Sequence, residues 1–178
     1  MYEIETNRLW IRRFKPEDWW DLYEYLSDRD VIKYEPYDVF TEDECKTEAM
    51  KRAKDDAFLA VCIKPSLKLI GNIYLGEREF DTWELGYVFH KDFHGKGYAT
   101  ESCEAVIKHA FTNLKARRII AHCNPENTSS WSLLERLHMR REGHLRKNIY
   151  FKTDEHNNPI WLDTYEYGIL AEEWELRS

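Results

Sequence analysis

Hydrophobic positions along the chain follow two rhythms. Residues 9–14 read as a first strand, and Pro16 then opens a helix on which Trp19, Leu22, Tyr23 and Leu26 recur at helical spacing. Thr41 with Glu44 three residues later forms a capping box, and Cys45 and Ala49 lie one turn apart on the helix behind it. The β-rich runs 58–63 and 69–75 flank Pro65-Ser66-Leu67-Lys68 and predict an antiparallel hairpin with a polar tip, with 83–89 as a further strand beside it. From Ala99 onward Cys103, Val106, Ile107, Ala110 and Phe111 obey the i, i+3, i+4 rule, so a central helix buries one face on the sheet. After a strand at 118–123 and a turn at 124–127, Trp131, Leu134 and Leu137 stripe another helix. Strands at 141–151 and 160–170, joined by the polar loop 153–159, close the chain.

No repeat or linker interrupts this order, and 178 residues suffice for one substantial core, so residues 1–178 are expected to form a single domain. No apolar run approaches the ~20 residues that span a bilayer. The first eight residues lack the basic-then-apolar pattern of a secretory signal, which makes the cytoplasm the expected location and a membrane role unexpected. A formal charge of -7 argues against nucleic acid as the main partner and favours encounter with cations. Cys45, Cys62, Cys103 and Cys123 are widely spaced without a C-x-x-C pair, so neither a metal site nor a disulfide framework is expected. The basic run Arg136, Arg140, Arg141, Arg146 and Lys147 reads either as a solvated face or as a second phosphate site.

Chemistry concentrates at one junction. His94-Gly95-Lys96-Gly97-Tyr98-Ala99-Thr100-Glu101 lies between a strand and a helix. Two glycines let the backbone turn tightly, and the helix start offers unpaired N–H groups to an anion, with Lys96 or His94 as side-chain supplements. The spacing fits neither the dinucleotide fingerprint, which needs a third glycine where Thr100 stands, nor the P-loop, in which a hydroxyl residue follows the lysine.

Together with Glu5-Thr6-Asn7-Arg8-Leu9, Trp83-Glu84-Leu85-Gly86-Tyr87 and Asn124-Pro125-Glu126-Asn127, this segment resembles the GNAT superfamily of acetyl-CoA-dependent N-acetyltransferases, in the RimJ/RimL-like branch that acetylates ribosomal-protein N-termini. The pyrophosphate loop R/Q-x-x-G-x-G/A falls on residues 94–99, with His94 in place of Arg or Gln, and His138-Met139 stands where the branch has Gly-Phe. The resemblance implies an α+β fold, a mixed, mainly antiparallel sheet flanked by helices on both sides. Strands 83–89 and 118–123 would splay to admit the pantetheine arm of acetyl-CoA, with Val88 and Phe89 binding through main chain. It also implies pyrophosphate contacts from His94 to Thr100, an Asn127 contact to the pantetheine, and Ser130 as hydrogen-bond or proton donor to the leaving sulfur.

Acetyl transfer to an amine needs a neutral nucleophile and a proton acceptor, and Glu84 is the first candidate for the acceptor by its strand position. A cross-strand ion pair explains Glu84 equally well, helix capping explains Asn127, and a solvent-facing position explains Ser130. Cys103 falls on an apolar stripe with no base beside it, so a thiol intermediate is rejected. Glu101, near the helix N-terminus, reads as a residue that favours the helix dipole and has no catalytic role. Tyr34-Glu35-Pro36-Tyr37-Asp38 is either a packed loop or an aromatic, acidic wall for a cationic amine. The expected activity is acetyl transfer, in a ternary complex of a monomer or homodimer, to a peptide or protein α-amine. A polyamine or aminoglycoside acceptor and a non-catalytic coenzyme A-binding role are the alternatives.

Overall fold

A computed structural model describes residues 3–176. Strands β1 (Glu3–Glu5) and β2 (Leu9–Arg13) precede a 3-10 turn at Pro16–Asp18, helix α1 (Trp19–Leu26) and helix α2 (Glu42–Arg52). Strands β3 (Phe58–Ile63), β4 (Lys68–Arg78) and β5 (Thr82–Phe89) lead to α3 (Tyr98–Thr112), β6 (Arg118–Cys123) and α4 (Thr128–Arg136). The chain continues through β7 (Arg140–Thr153), β8 (Pro159–Leu170) and α5 (Ala171–Glu175). The eight strands form one sheet in the order β1-β2-β3-β4-β5-β6-β8-β7, and every neighbouring pair is antiparallel except β5 with β6.

The sheet buries both faces because its strands carry apolar side chains in both directions. Leu85, Phe89, Ile119, Ala121 and Tyr167 pack with Cys103, Val106, Ile107 and Leu134 of α3 and α4. Ala60, Cys62, Leu69 and Val88 face the other way, onto Leu22, Tyr25 and Leu26 of α1 and Cys45 and Ala49 of α2. Helices therefore cover both sides, as the resemblance implied. On the α1–α2 side, Tyr25 donates its hydroxyl to Asn72 Oδ1 at 2.8 Å, satisfying a polar pair that would otherwise be costly to bury.

Local chemistry sets several element ends. Thr41 and Glu44 form the expected reciprocal cap of α2. The helix expected from Pro16 begins as a 3-10 turn and becomes α-helical only at Trp19, because the Asp18 carboxylate is taken by Arg12 and by the Lys15 N–H. The final hairpin is longer than its apolar pattern indicated, since β7 is exposed along most of its length and carries little hydrophobic signal.

The residue pairing that matters most is incomplete. β5 and β6 are joined only over Thr82–Glu84 and Arg118–Ile120. Beyond Glu84 the two strands separate, and the edge of β5 that faces β6 has no ladder partner from Leu85 to Phe89 while its other edge stays bonded to β4. Parallel strands diverging this way open a gap through the middle of the sheet.

Candidate active site

A cavity of about 1170 Å³ fills that gap. One end is lined by Gly95, Gly97, Tyr98 and Thr100 at the start of α3, the middle by Gly86, Tyr87, Val88, His122, Asn127 and Ser130, and the far end by Tyr34, Glu35, Pro36, Leu145, Ile149 and Leu162. Strand alternation assigns the sides. Trp83, Leu85, Tyr87 and Phe89 face α3 and α4, whereas Glu84, Gly86 and Val88 face α1 and α2.

The glycine junction leaves its backbone open on the outer side. Gly95 and Gly97 have φ of 71° and 80°, in the region L side chains adopt only with strain. A Cβ on Gly95 would meet nothing within 4 Å, so its outer side is open space. Gly97 is the N-cap of α3 and has no side chain to bond the first-turn N–H groups, which stay available. The loop is clamped from behind. Arg8 donates Nε to Glu101 at 2.6 Å and NH1 to the Lys96 carbonyl at 2.9 Å, while the Thr6 hydroxyl and the Arg8 N–H bond Glu101 Oε1. Burial opposes ionisation of Glu101, but these donors outweigh it and hold its carboxyl below the usual range. The Thr6-Asn7-Arg8 signature thus braces the glycine loop, and Glu101 does more than answer a helix dipole.

Two expected phosphate side chains point elsewhere. His94 Nε2 donates to the Phe89 carbonyl at 2.9 Å, fixing the ring inward across the end of β5. Lys96 Nζ lies over the Phe93 ring, 5.4 Å from its centroid. Main chain is left as the principal donor set at this junction.

At the middle of the cavity Asn127 caps α4, its Oδ1 taking the Ser130 N–H at 3.2 Å and the Ser129 hydroxyl at 2.9 Å. Ser130 is half-buried; the Tyr87 hydroxyl donates to its carbonyl at 3.0 Å and lies 3.1 Å from its Oγ. Burial pushes the Tyr87 phenol far up, so it stays a proton donor. Tyr87 was quoted in the sequence motif without a role; its odd-numbered place on β5, facing α4, was the available signal. Desolvation raises the Cys123 thiol to about 11 and drives Cys103 higher still, so neither is poised as a nucleophile.

Glu84 lies on the α1–α2 side at the last paired position of the fork. Its Oε1 is 3.0 Å from His122 Nδ1 and its Oε2 accepts from Arg78 at 2.6 and 3.0 Å. These partners, His122 foremost, hold its carboxyl below the usual range. His122 Nε2 is in turn 3.3 Å from Glu166 Oε2. With a carboxylate on each ring nitrogen its protonated form is favoured and its pKa is raised, the bond to Glu84 being the main cause and burial the main opposition. Glu84 is thus the ion-paired carboxylate of the structural reading, and it also lines the cavity. His122 and Glu166, opposite each other across β6 and β8, were not singled out from sequence.

The basic run is spread over separate partners. Arg140 pairs with Glu142 and Glu173, Arg141 stacks on Tyr165 and bonds Tyr167, and Arg146 meets Asp163, so no common phosphate site forms from these three. His138 has φ of 63°, so the position at which the related branch carries glycine does require the left-handed region.

Residues 8–140 match the model of the acetyltransferase (GNAT) domain. The chain belongs to the GNAT acetyltransferase family. It is an N-acetyltransferase, and enzymes of this fold use acetyl-CoA. Among curated GNAT relatives, an uncharacterized N-acetyltransferase of Bacillus subtilis, YnaD, is 42% identical over 176 residues, covering 96% of this chain and 98% of its own. The ribosomal protein uS5-alanine N-acetyltransferase of Escherichia coli is 28% identical over 96% of this chain and 92% of its own. A crystal structure of a GNAT-family acetyltransferase from Bacillus anthracis superposes with a TM-score of 0.88 at 39% identity, covering 97% of this chain and all of the other. Among the described residues no group of three or more His, Cys, Asp or Glu side chains is arranged to hold a metal ion, and no helix is long and apolar enough to cross a membrane.

Proposed function

We propose that this GNAT enzyme transfers the acetyl group of acetyl-CoA to the α-amine of a peptide or protein, in a ternary complex and without a covalent enzyme intermediate. The observation that carries the proposal is the cavity itself, which joins the N-terminus of α3 to the opposite side of the sheet through the β5–β6 fork. Cofactor and acceptor then meet from opposite sides at Tyr87, Ser130 and Glu84.

In this arrangement the pyrophosphate rests on the N–H groups of Gly95 to Thr100, where a Cβ-free surface and an unfilled helix cap coincide. The pantetheine arm runs along the open edge of β5 toward Phe89, with Asn127 and Ser130 on its other side, while the Val88 main chain, expected to share this contact, is bonded to Asn72 of β4 instead. Ser130, backed by the Tyr87 hydroxyl, supplies a hydrogen bond that strengthens as charge develops on the departing sulfur. Glu84 stays ionised between Arg78 and His122, which suits it to attract an ammonium group.

The far end favours a peptide over a polyamine. Leu145, Ile149, Leu162 and Pro36 give it an apolar wall beside Glu35, while Asp163 already bonds Arg146 and His144. A multiply charged acceptor needs a row of carboxylates without such partners. The test is thiol release from acetyl-CoA across N-terminal peptides, polyamines and aminoglycosides. Turnover with peptides carrying a small or apolar first residue is expected; turnover confined to polyamines or aminoglycosides would overturn the acceptor assignment, and thiol release with no amine would overturn the activity.

A further inference from the structure

We infer that Glu35, on the segment between α1 and α2, is the group that takes the proton from the acceptor ammonium, while Glu84 and His122 hold charge elsewhere in the cavity lining. The inference rests on the acetyl-transfer reading and adds a residue to it.

Commitment of the other carboxylates is the starting point. Glu84 has each oxygen bonded to a cationic partner, Glu101 is occupied by Thr6 and Arg8, and Asp163 by His144, Arg146 and the Lys147 N–H. Each must give up a charge-assisted hydrogen bond to accept a proton. His122, bracketed by Glu84 and Glu166, is favoured in the form that has no lone pair to offer. Asp30 and Glu104 line the cavity but are exposed to water.

Glu35 differs in surroundings and in placement. It lines the acceptor end of the cavity and is half-buried. Its segment crosses toward the fork, where the Tyr34 hydroxyl donates to the Glu126 carbonyl at 3.2 Å, one residue before the Asn127 cap. That tie brings the segment to the same turn that positions Ser130. The groups acting on Glu35 are the Tyr37 phenol on its own segment and the Arg52 guanidinium from α2, with Glu48 beside Arg52 and Glu84 and His122 elsewhere in the cavity lining. Desolvation outweighs the Tyr37 hydrogen bond and the charge of Arg52, and lifts the carboxyl to about 7. A base titrating near the working pH exchanges protons in both directions without a large penalty.

The step balances. The ammonium loses one proton to the Glu35 carboxylate, and the freed lone pair forms the N–C bond at the thioester carbonyl. The C–S bond breaks with its electron pair on sulfur, the second amine proton passes to the thiolate by way of Ser130, and the proton on Glu35 is released to solvent.

The test compares Glu35→Gln and Glu84→Gln with the parent enzyme, by kcat/KM for a peptide amine from pH 6 to 9 and by acetyl-CoA calorimetry. For Glu35→Gln, kcat/KM should fall about tenfold or more at pH 6.5 and recover to within about twofold by pH 9, as the ammonium loses its proton to water unaided. Its acidic limb should move up to the pKa of the amine, ~8, with unchanged cofactor affinity. Glu84→Gln should leave the position of that limb where the parent has it. Melting adds a readout that activity does not supply. A carboxyl raised in the fold stabilises below its unfolded pKa and loses that contribution as pH rises through about 7, so Glu35→Gln should melt higher than the parent at pH 8 and alike at pH 5. An acidic limb unmoved in Glu35→Gln, a loss that high pH does not relieve, or melting unchanged at pH 8 would each overturn the role of Glu35. Absence of thiol release in the parent would fail the acetyl-transfer proposal instead.

Discussion

Gly95→Ala isolates the phosphate cradle from the scaffold that supports it. Gly95 has φ of 71°, and a Cβ there meets no atom within 4 Å. In the free protein the cost is therefore backbone strain alone, about 1–2 kcal/mol for an L residue in the left-handed region. For a domain of this size that corresponds to a melting temperature lower by about 2–8 °C. The bound state should lose more. The added methyl occupies the open space in which a pyrophosphate on the Gly95–Thr100 amides has to lie, and hydrogen bonds to a charged group contribute about 1.5–3 kcal/mol each. Loss of one of them weakens acetyl-CoA binding about 10- to 150-fold. Gly97→Ala is the contrasting substitution, because its Cβ would lie 3.2 Å from Arg8 NH2 and disturb the clamp on Glu101 as well. It should melt lower than Gly95→Ala. Calorimetric titration of each variant with coenzyme A, beside thermal melts, separates the two effects. A Gly95→Ala protein that melts lower yet binds with parental affinity would show that the glycine serves only the turn, and would remove the pyrophosphate from this surface.

Three further outcomes are expected. Ser130→Ala should lower kcat about 10- to 100-fold with modest change in cofactor affinity, and Tyr87→Phe should lower it less, since the phenol acts on the thiolate through Ser130; parental turnover in Ser130→Ala would return the serine to a structural part. His138→Gly should raise the melting temperature by about 2–4 °C per kcal/mol of left-handed strain relieved, and a lower value would mean that the imidazole contributes more through its contacts than the backbone loses. His122, whose folded pKa is raised by Glu84 and Glu166, contributes stability that is complete below about pH 6.5 and lost as pH rises through the folded value. The melting gap between parent and His122→Gln should therefore narrow from pH 6 to pH 9, and a gap that stays constant would contradict the charged state assigned to the imidazole.

Much of the molecule was legible in the chain because its signals are local. The capping box at Thr41 and Glu44 needs only three residues of separation, and the stripe from Cys103 to Phe111 needs only one helix face. The paired glycines mark a left-handed turn wherever the rest of the chain runs, which is why the tight strand-to-helix junction could be read directly. β1 and α5, at three and five residues, are too short to carry a periodic pattern, and the exposed β7 shows little of one. The family motifs named the right segments, yet a motif carries no information about partners far away in sequence.

Those partners are what the tertiary structure decided. Glu101 became part of the loop scaffold because β1 and β2 bring Thr6 and Arg8, more than 90 positions away, onto its carboxylate. His94, expected at the phosphate, turned to the Phe89 carbonyl because the end of β5 presents an unpaired acceptor within reach. Glu84 is an acid like any other in the linear sequence. Its charge is set by Arg78 from β4 and His122 from β6, and that of Glu35 by burial that outweighs Tyr37 and Arg52. Strand order and register determine such neighbours, and the protonation state of a carboxyl follows from its neighbours and its exposure to water.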